Sequence, residues 1–343
     1  MDLNSYKLRN RRGNKVSAEF LEKSSKSEWN SFVDRSPQGS IFCYYEWLEF
    51  STGNDFQILV YRENGKIVAG MPLPFYSTKK IRLPLLTQKM GVLFEDFSNI
   101  KYVTRLDKEK KIIYDFIDAL QREKKSYSMH FDWHFDNWLP FYWRGYEQTT
   151  RYTYVIDFDS KTLDEIWKDM DERTRNSIRK AEKASVRVLK ATDVRKFYDI
   201  NKKTFERQGM RIPYSFEYVY KLYETFKNHI SIFEAIDSNG NTHAMNFYIA
   251  DNKSVYYLMS GTDPDLRSSG AQNLIQWEAI KHYYGKVRYF DFEGSMMENV
   301  EANFRKFGAV QKQYFNIYEQ RLSDEVRKVL INIVKKLLPN RSK

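Results

Sequence analysis

Two segments of this chain place β-branched and aromatic runs on either side of an Asn-Gly pair. In FQILVYRENGKIVAGMPLPFY (residues 56–76) the pair is Asn64-Gly65, and in ISIFEAIDSNGNTHAMNFYIA (residues 230–250) it is Asn239-Gly240. Both residues of such a pair tolerate positive φ, so each segment predicts a β-hairpin. Superposing the pairs also brings Ala69 onto Ala244, and aromatic segments (FCYYEWLEF and PYSFEYVYKLYETF) precede the hairpins at comparable distances. This internal echo predicts two related halves, residues 20–150 and 151–320. Each would be a mixed sheet with helices against it, an α/β or α+β arrangement.

Around the hairpins the apolar period lengthens to that of a helix. KIIYDFIDALQREKK (residues 111–125) puts Ile112, Ile113, Phe116, Ile117 and Leu120 on one face, and SYSMHFDW continues as a strand. The dense aromatic run WHFDNWLPFYWRGY (residues 133–146) is interrupted by Pro140 and Gly145. TYVIDF opens the second half. Residues 159–184 then read as one helix, with Leu163, Ile166, Met170, Ile178 and Ala181 inward and Arg173, Arg175, Arg179, Lys180 and Lys183 outward. That basic face suits either a solvated surface or a phosphate-rich partner such as tRNA. Residues 321–343 predict a basic amphipathic helix with Val326, Val329, Leu330, Ile333, Val334, Leu337 and Leu338 in its stripe. Such a helix docks on its own domain or lies on an anionic membrane.

The most informative stretch is residues 254–313. VYYLMSG is a strand stopped by Gly261, TDPDLRSSGA is a loop of turn residues, and AQNLIQWEAIKHYYG is a helix ended by Gly285. Arg267, Ser269, Gly270, Ala271 and Gln272 therefore fall at a strand-to-helix junction. Free N–H groups and the helix dipole there favour an anion, which points to a phosphate-bearing donor. In RYFDFEG, Asp291 and Glu293 are two apart on a predicted strand and so share a face. A carboxylate so placed can accept a proton from an attacking amine. Arg305 and Lys306, in NFRKFGA, are the cationic partners, and Tyr257 is a nearby hydroxyl.

The loop around Arg267 and Gly270 resembles the pyrophosphate-binding signature of the GNAT acyltransferases, with Gln272 where that signature has a small residue. FDFEG and ANFRKFGA resemble the C-terminal half of the Fem-like branch of that superfamily, the FemABX and acetyltransferase 6 group. MDERTRNSIRKAEKASVRV and TFERQG resemble its upstream segment. The resemblance spans residues 29–320, and it rests on the order and spacing of these motifs. It implies tandem GNAT-like domains, the first shaping the acceptor site and the second holding the donor. It implies an acyl-CoA co-substrate on residues 267–272, catalysis by Asp291, Glu293 and Lys306, and acceptor contacts from Arg207, Arg305 and Tyr257. The reaction implied is acyl transfer to an amine of a cell-envelope precursor. Its rival within the same branch is an aminoacyl-tRNA-dependent ligase, and a non-catalytic polyanion-binding or membrane-binding scaffold is a third reading.

Composition narrows this picture modestly. The chain has 343 residues, 42% hydrophobic and 16% aromatic, enough for real cores. A net charge of +11 attracts polyanions of several kinds without choosing among them. The single cysteine, Cys43, lies among aromatics and reads as a buried inert thiol in a reducing compartment. The basic N-terminus has no apolar run behind it, so the expected location is cytoplasmic, with peripheral contact at the inner membrane face. The histidines are scattered, and no metal motif, Walker loop or nucleophile elbow occurs.

Overall fold

The computed structural model describes residues 18–319, apart from 79 and 124. The basic N-terminal stretch and the helix expected at residues 321–343 lie outside the described residues. The chain divides into two units, residues 18–150 with 314–319, and residues 151–313.

The first unit contains β1 (Glu19–Phe20), α1 (Lys26–Arg35), α2 (Tyr45–Thr52), β2 (Phe56–Glu63), β3 (Lys66–Ser77), β4 (Lys80–Arg82) and β5 (Leu93–Phe94). α3 (Tyr102–Glu123), β6 (Ser126–His130), α4 (Leu139–Tyr142) and the start of β7 (Tyr146–Asp157) follow. Asn64 (φ 50°) and Gly65 (φ 79°) make the expected tight turn between β2 and β3. β3 pairs with β4, β4 runs parallel to β6, and the last residues of the final described strand pair antiparallel with β6. Apolar side chains of α1, α2 and α3 cover this sheet. Trp29 is fully buried, its indole N–H donating to the Cys43 carbonyl at 2.8 Å, and it fits only because Gly70 has no Cβ to meet its ring. α3 begins nine residues before its predicted start, because Tyr102 and Val103 extend the helix beyond its apolar stripe.

The second unit holds α5 (Leu163–Asp169), α6 (Glu172–Lys183), β8 (Arg187–Ala191), α7 (Val194–Arg207), α8 (Phe216–Phe226), β9 (Ile230–Ile236), β10 (Thr242–Ala250), β11 (Ser254–Thr262), α9 (Ala271–Tyr283), β12 (Tyr289–Asp291), α10 (Glu298–Arg305) and the start of β13 (Val310–Glu319). Its strand order is β7-β12-β11-β10-β9-β8, antiparallel except for β11 beside β12. β10 is covered on both faces. Phe247 packs on Phe197 of α7, whereas Tyr248 packs on Tyr283 of α9. A mixed sheet flanked by helices is therefore the architecture of the fold, as the patterning predicts.

Two expectations need correction. The helix expected over residues 159–184 is two helices. Met170 is extended (ψ 145°) and Asp171 caps α6 by accepting from the Arg173 and Thr174 amides. The second hairpin turns through a longer loop than the first, since only Gly240 of its Asn-Gly pair has positive φ and Asp237 ties the loop together.

Candidate active site

The site grows from the way β11 and β12 part. They pair in parallel only over Ser254–Tyr256 and Tyr289–Asp291. β11 then continues to Thr262, while the chain after β12 stays with β7, where the Phe292 amide donates to the Tyr154 carbonyl at 2.9 Å. Immediately beyond the last parallel pair, β11 carries a bulge. Phe247 of β10 faces Met259 and Tyr248 faces Tyr257, so Leu258 is passed over. A bulge at a point of strand separation re-aims the backbone groups there.

β11 leads into the loop at 263–270 and so to α9. Gly270 adopts φ 85°, and a Cβ there would collide with the Ser177 carbonyl of α6. Lys180 of the same helix donates to the Ser268 carbonyl at 2.8 Å. α6 thus holds the loop in place. The helices α5, α6, α7 and α8 are each capped by a side-chain oxygen, from Thr162, Asp171, Asp193 and Ser215. No side chain caps α9, although Ser269 Oγ accepts from the Ala271 amide at 3.3 Å. A helix start without an N-cap side chain, with exposed Arg267 beside it, is an arrangement electrostatically suited to an anion.

Gln272, where the signature has a small residue, points inward. Its Nε2 donates to Asn246 Oδ1 at 2.9 Å and to the Tyr257 hydroxyl at 2.7 Å, and its Oε1 accepts from Thr262 at 3.2 Å. Asn246 and the Tyr248 hydroxyl continue this network to Gln276 Oε1 at 3.1 and 2.5 Å. Burial pushes the Tyr257 hydroxyl up to about 12, against hydrogen bonds from Ser260 and Gln272, so it stays protonated at neutral pH. The network locks the first turn of α9 to β10 and β11.

Across the gap lies the acidic turn. Asp291 is buried, and its Oδ1 accepts from Thr153 Oγ1 at 2.5 Å and from the Glu293 amide at 2.8 Å. The expectation that Asp291 and Glu293 share one face of a strand fails, because β12 ends at Asp291. Glu293 (φ 61°) and Gly294 (φ 54°) are both left-handed, and Gly294 lies against the β7 backbone at Tyr152 too closely for a Cβ. A buried glutamate held at positive φ is a strained position of the kind that clusters at functional sites.

The structure joins Tyr257 and Gln272 beside the 263–270 loop and Asp291 to Glu293. Arg305 and Lys306 end α10, both exposed, with Arg305 3.8 Å from Glu301. Their neighbour Phe304 packs on Tyr257 and Phe292 at 6.2 and 5.6 Å, so α10 closes over the parted strands. Arg207 ends α7, exposed. Thr153, Asn246 and Gln276 escaped the sequence reading. Gln276 left a signal, a polar side chain in the otherwise apolar stripe of α9. The basic face of α6 is partly structural, since Arg175 Nη1 donates to the carbonyls of Trp167, Lys168 and Met170 (3.3, 2.7 and 2.6 Å). Among the described residues no group of three metal-ligating side chains occurs, and no helix is long and apolar enough to cross a membrane.

Residues 168–299 match the acetyltransferase (GNAT) domain family. The structure of FemX superposes with a TM-score of 0.68 at 14% identity, over 87% of this chain and 96% of that one. A conserved protein of unknown function from Bacteroides thetaiotaomicron follows at 0.53 and 11%, over 88% and 99% of the chains. L-PGS from Bacillus licheniformis superposes at 0.51 and 11%, over 92% and 97%. No curated protein sequence matches. The second unit therefore carries a match to the GNAT acetyltransferase domain, and the fold of the chain is similar to that of FemX.

Proposed function

We infer that this protein is a GNAT-type N-acyltransferase moving an acyl group from a CoA-type thioester to an amine of a cell-envelope precursor such as an amino sugar. The uncapped start of α9 beside the parting of β11 and β12 carries this reading. Donor phosphates would accept from first-turn N–H groups with Arg267 as counter-charge, and the acyl arm would enter the gap past Tyr257. The amine attacks the thioester carbonyl directly, forming the C–N bond. The C–S bond then breaks and the thiolate leaves, while the amine proton passes to Glu293, directly or through water. Asp291 fixes the turn that presents Glu293. Arg305 and Arg207 remain for anionic parts of the acceptor, and Lys306 for polarising the donor carbonyl.

Calorimetric titration with CoA and acetyl-CoA tests the donor. Arg267→Ala should weaken binding about tenfold, the scale of one charge-assisted contact. Unchanged affinity in the variant would remove the phosphate assignment. A second reading, an aminoacyl-tRNA donor, draws on the net charge of +11. It requires tRNA binding that falls steeply with salt and no response to CoA.

A further inference from the structure

The candidate site lies behind a cover. Asp291, Phe292 and Glu293 are 3%, 1% and 9% exposed, so a thioester or an amine reaches this turn only when an element over it moves. Residues 295–306, with α10 at their centre, supply such an element. Both ends of the segment are anchored. Gly294 lies against the Tyr152 carbonyl and Gly308 against Asp169, each left-handed and too close for a Cβ. The Lys306 carbonyl also accepts from the Asp171 amide at 2.9 Å. Between the anchors the packing is thin. None of the described side chains of residues 295–306 is buried, whereas α9 buries eight of its thirteen. Met296 and Met297 at the near end are exposed.

Side-chain contacts on one face hold α10 over the parted strands. Phe304 rests on Tyr257 and Phe292, and the Tyr154 hydroxyl of β7 donates to the Glu301 carboxylate. Gln311 Nε2 donates to the same hydroxyl at 2.8 Å, which leaves its proton aimed at α10. Burial, and then the Glu301 carboxylate, raises the Tyr154 pKa, so the hydroxyl keeps that proton. We propose that α10 is a gate over the candidate active site, and that Tyr154 is the positioning residue that latches it through Glu301. What the gate admits, a CoA-type thioester, rests on the function proposed above; the gate itself does not. With the latch made, Phe304 stays on Tyr257 and Glu293 is covered. With it broken, the segment swings on its two anchors and the way to Glu293 opens. An element with few buried apolar contacts opens at low cost, which suits it to this use.

Hydrogen–deuterium exchange on the full chain reads the gate without any substrate. In wild type the amides of residues 300–305 should exchange well before those of α9. Tyr154→Phe should speed them about tenfold, the scale of one hydrogen bond to a charged group, and leave α9 unchanged. Glu301→Gln keeps an acceptor for the hydroxyl and should restore most of the protection. Glu301→Ala should match Tyr154→Phe, and it serves alone should that variant not fold. Stopped-flow binding of CoA then reads passage, with uptake about tenfold faster in Tyr154→Phe because more of the protein is open. Wild-type exchange as slow over α10 as over α9 would overturn the proposal. So would an unchanged α10 in Tyr154→Phe, a rise shared equally by α9, or CoA uptake that stays the same while exchange quickens. The expected exchange pattern with no CoA binding at all would uphold the gate and remove the donor reading instead.

Discussion

Gly270 is the pivot of the 263–270 loop, in a left-handed conformation and against the Ser177 carbonyl. Gly270→Ala should cost about 2 kcal/mol or more, from the left-handed penalty and the collision together, read as a lowered urea midpoint. In the proposed reaction Glu293 takes the amine proton. Glu293→Gln should lower turnover about 10²–10⁴-fold while CoA affinity holds, a split that kinetics and calorimetry resolve together. His282 governs an acid response. Burial, aided by Lys190 and Lys286, lowers its pKa from 6.5 to about 4. The unfolded chain takes up this proton near pH 6.5 and the folded chain only near pH 4, so stability is lost as pH falls through that window. His282→Gln should flatten that part of the pH–stability profile. Legibility at this scale was uneven. Gly270 and Glu293 stood out because motif position marks them. Gln272 stood out only as a departure from that motif, and its inward network did not, because it exists only once β10, β11 and α9 are brought together.

Elements were most legible where turn chemistry fixes them. Asn64-Gly65 and the run from β11 to α9 fall where the pattern puts them, since backbone preference and burial agree there. The break between α5 and α6 was hidden, because Ile166, Met170 and Ile178 keep an inward stripe across it. The signal was Asp171, whose carboxylate caps the second helix while Arg175 satisfies the carbonyls that end the first. Asp171→Ala should therefore cost about 1 kcal/mol and fray the start of α6, seen as faster amide exchange over its first turn. The end of β12 was misplaced for a related reason. Alternation in RYFDFEG continues on paper through Glu293, but Gly294 must approach the β7 backbone, and the chain turns to let it.

For the whole molecule, the repeated hairpin predicts two halves and the chain divides into two units, but the path of the chain between them was not legible. Nothing in the periodicity of residues 310–319 says which sheet they join. If the donor reading holds, CoA at a hundred times its dissociation constant should stabilise the native state by about 2.7 kcal/mol, measured as a rise in melting temperature that Arg267→Ala removes.

The final strand has a consequence for how the protein is made. β6 receives its antiparallel neighbour, Asn316–Tyr318, from a segment synthesised after the entire second unit. On the ribosome, β6 therefore waits with one edge bare while the later residues emerge, and an open strand edge is a template for mispairing. A nascent chain stalled before residue 314 should be captured by holding chaperones and cut by proteases near β6. Release of the last few strand residues should end that vulnerability abruptly.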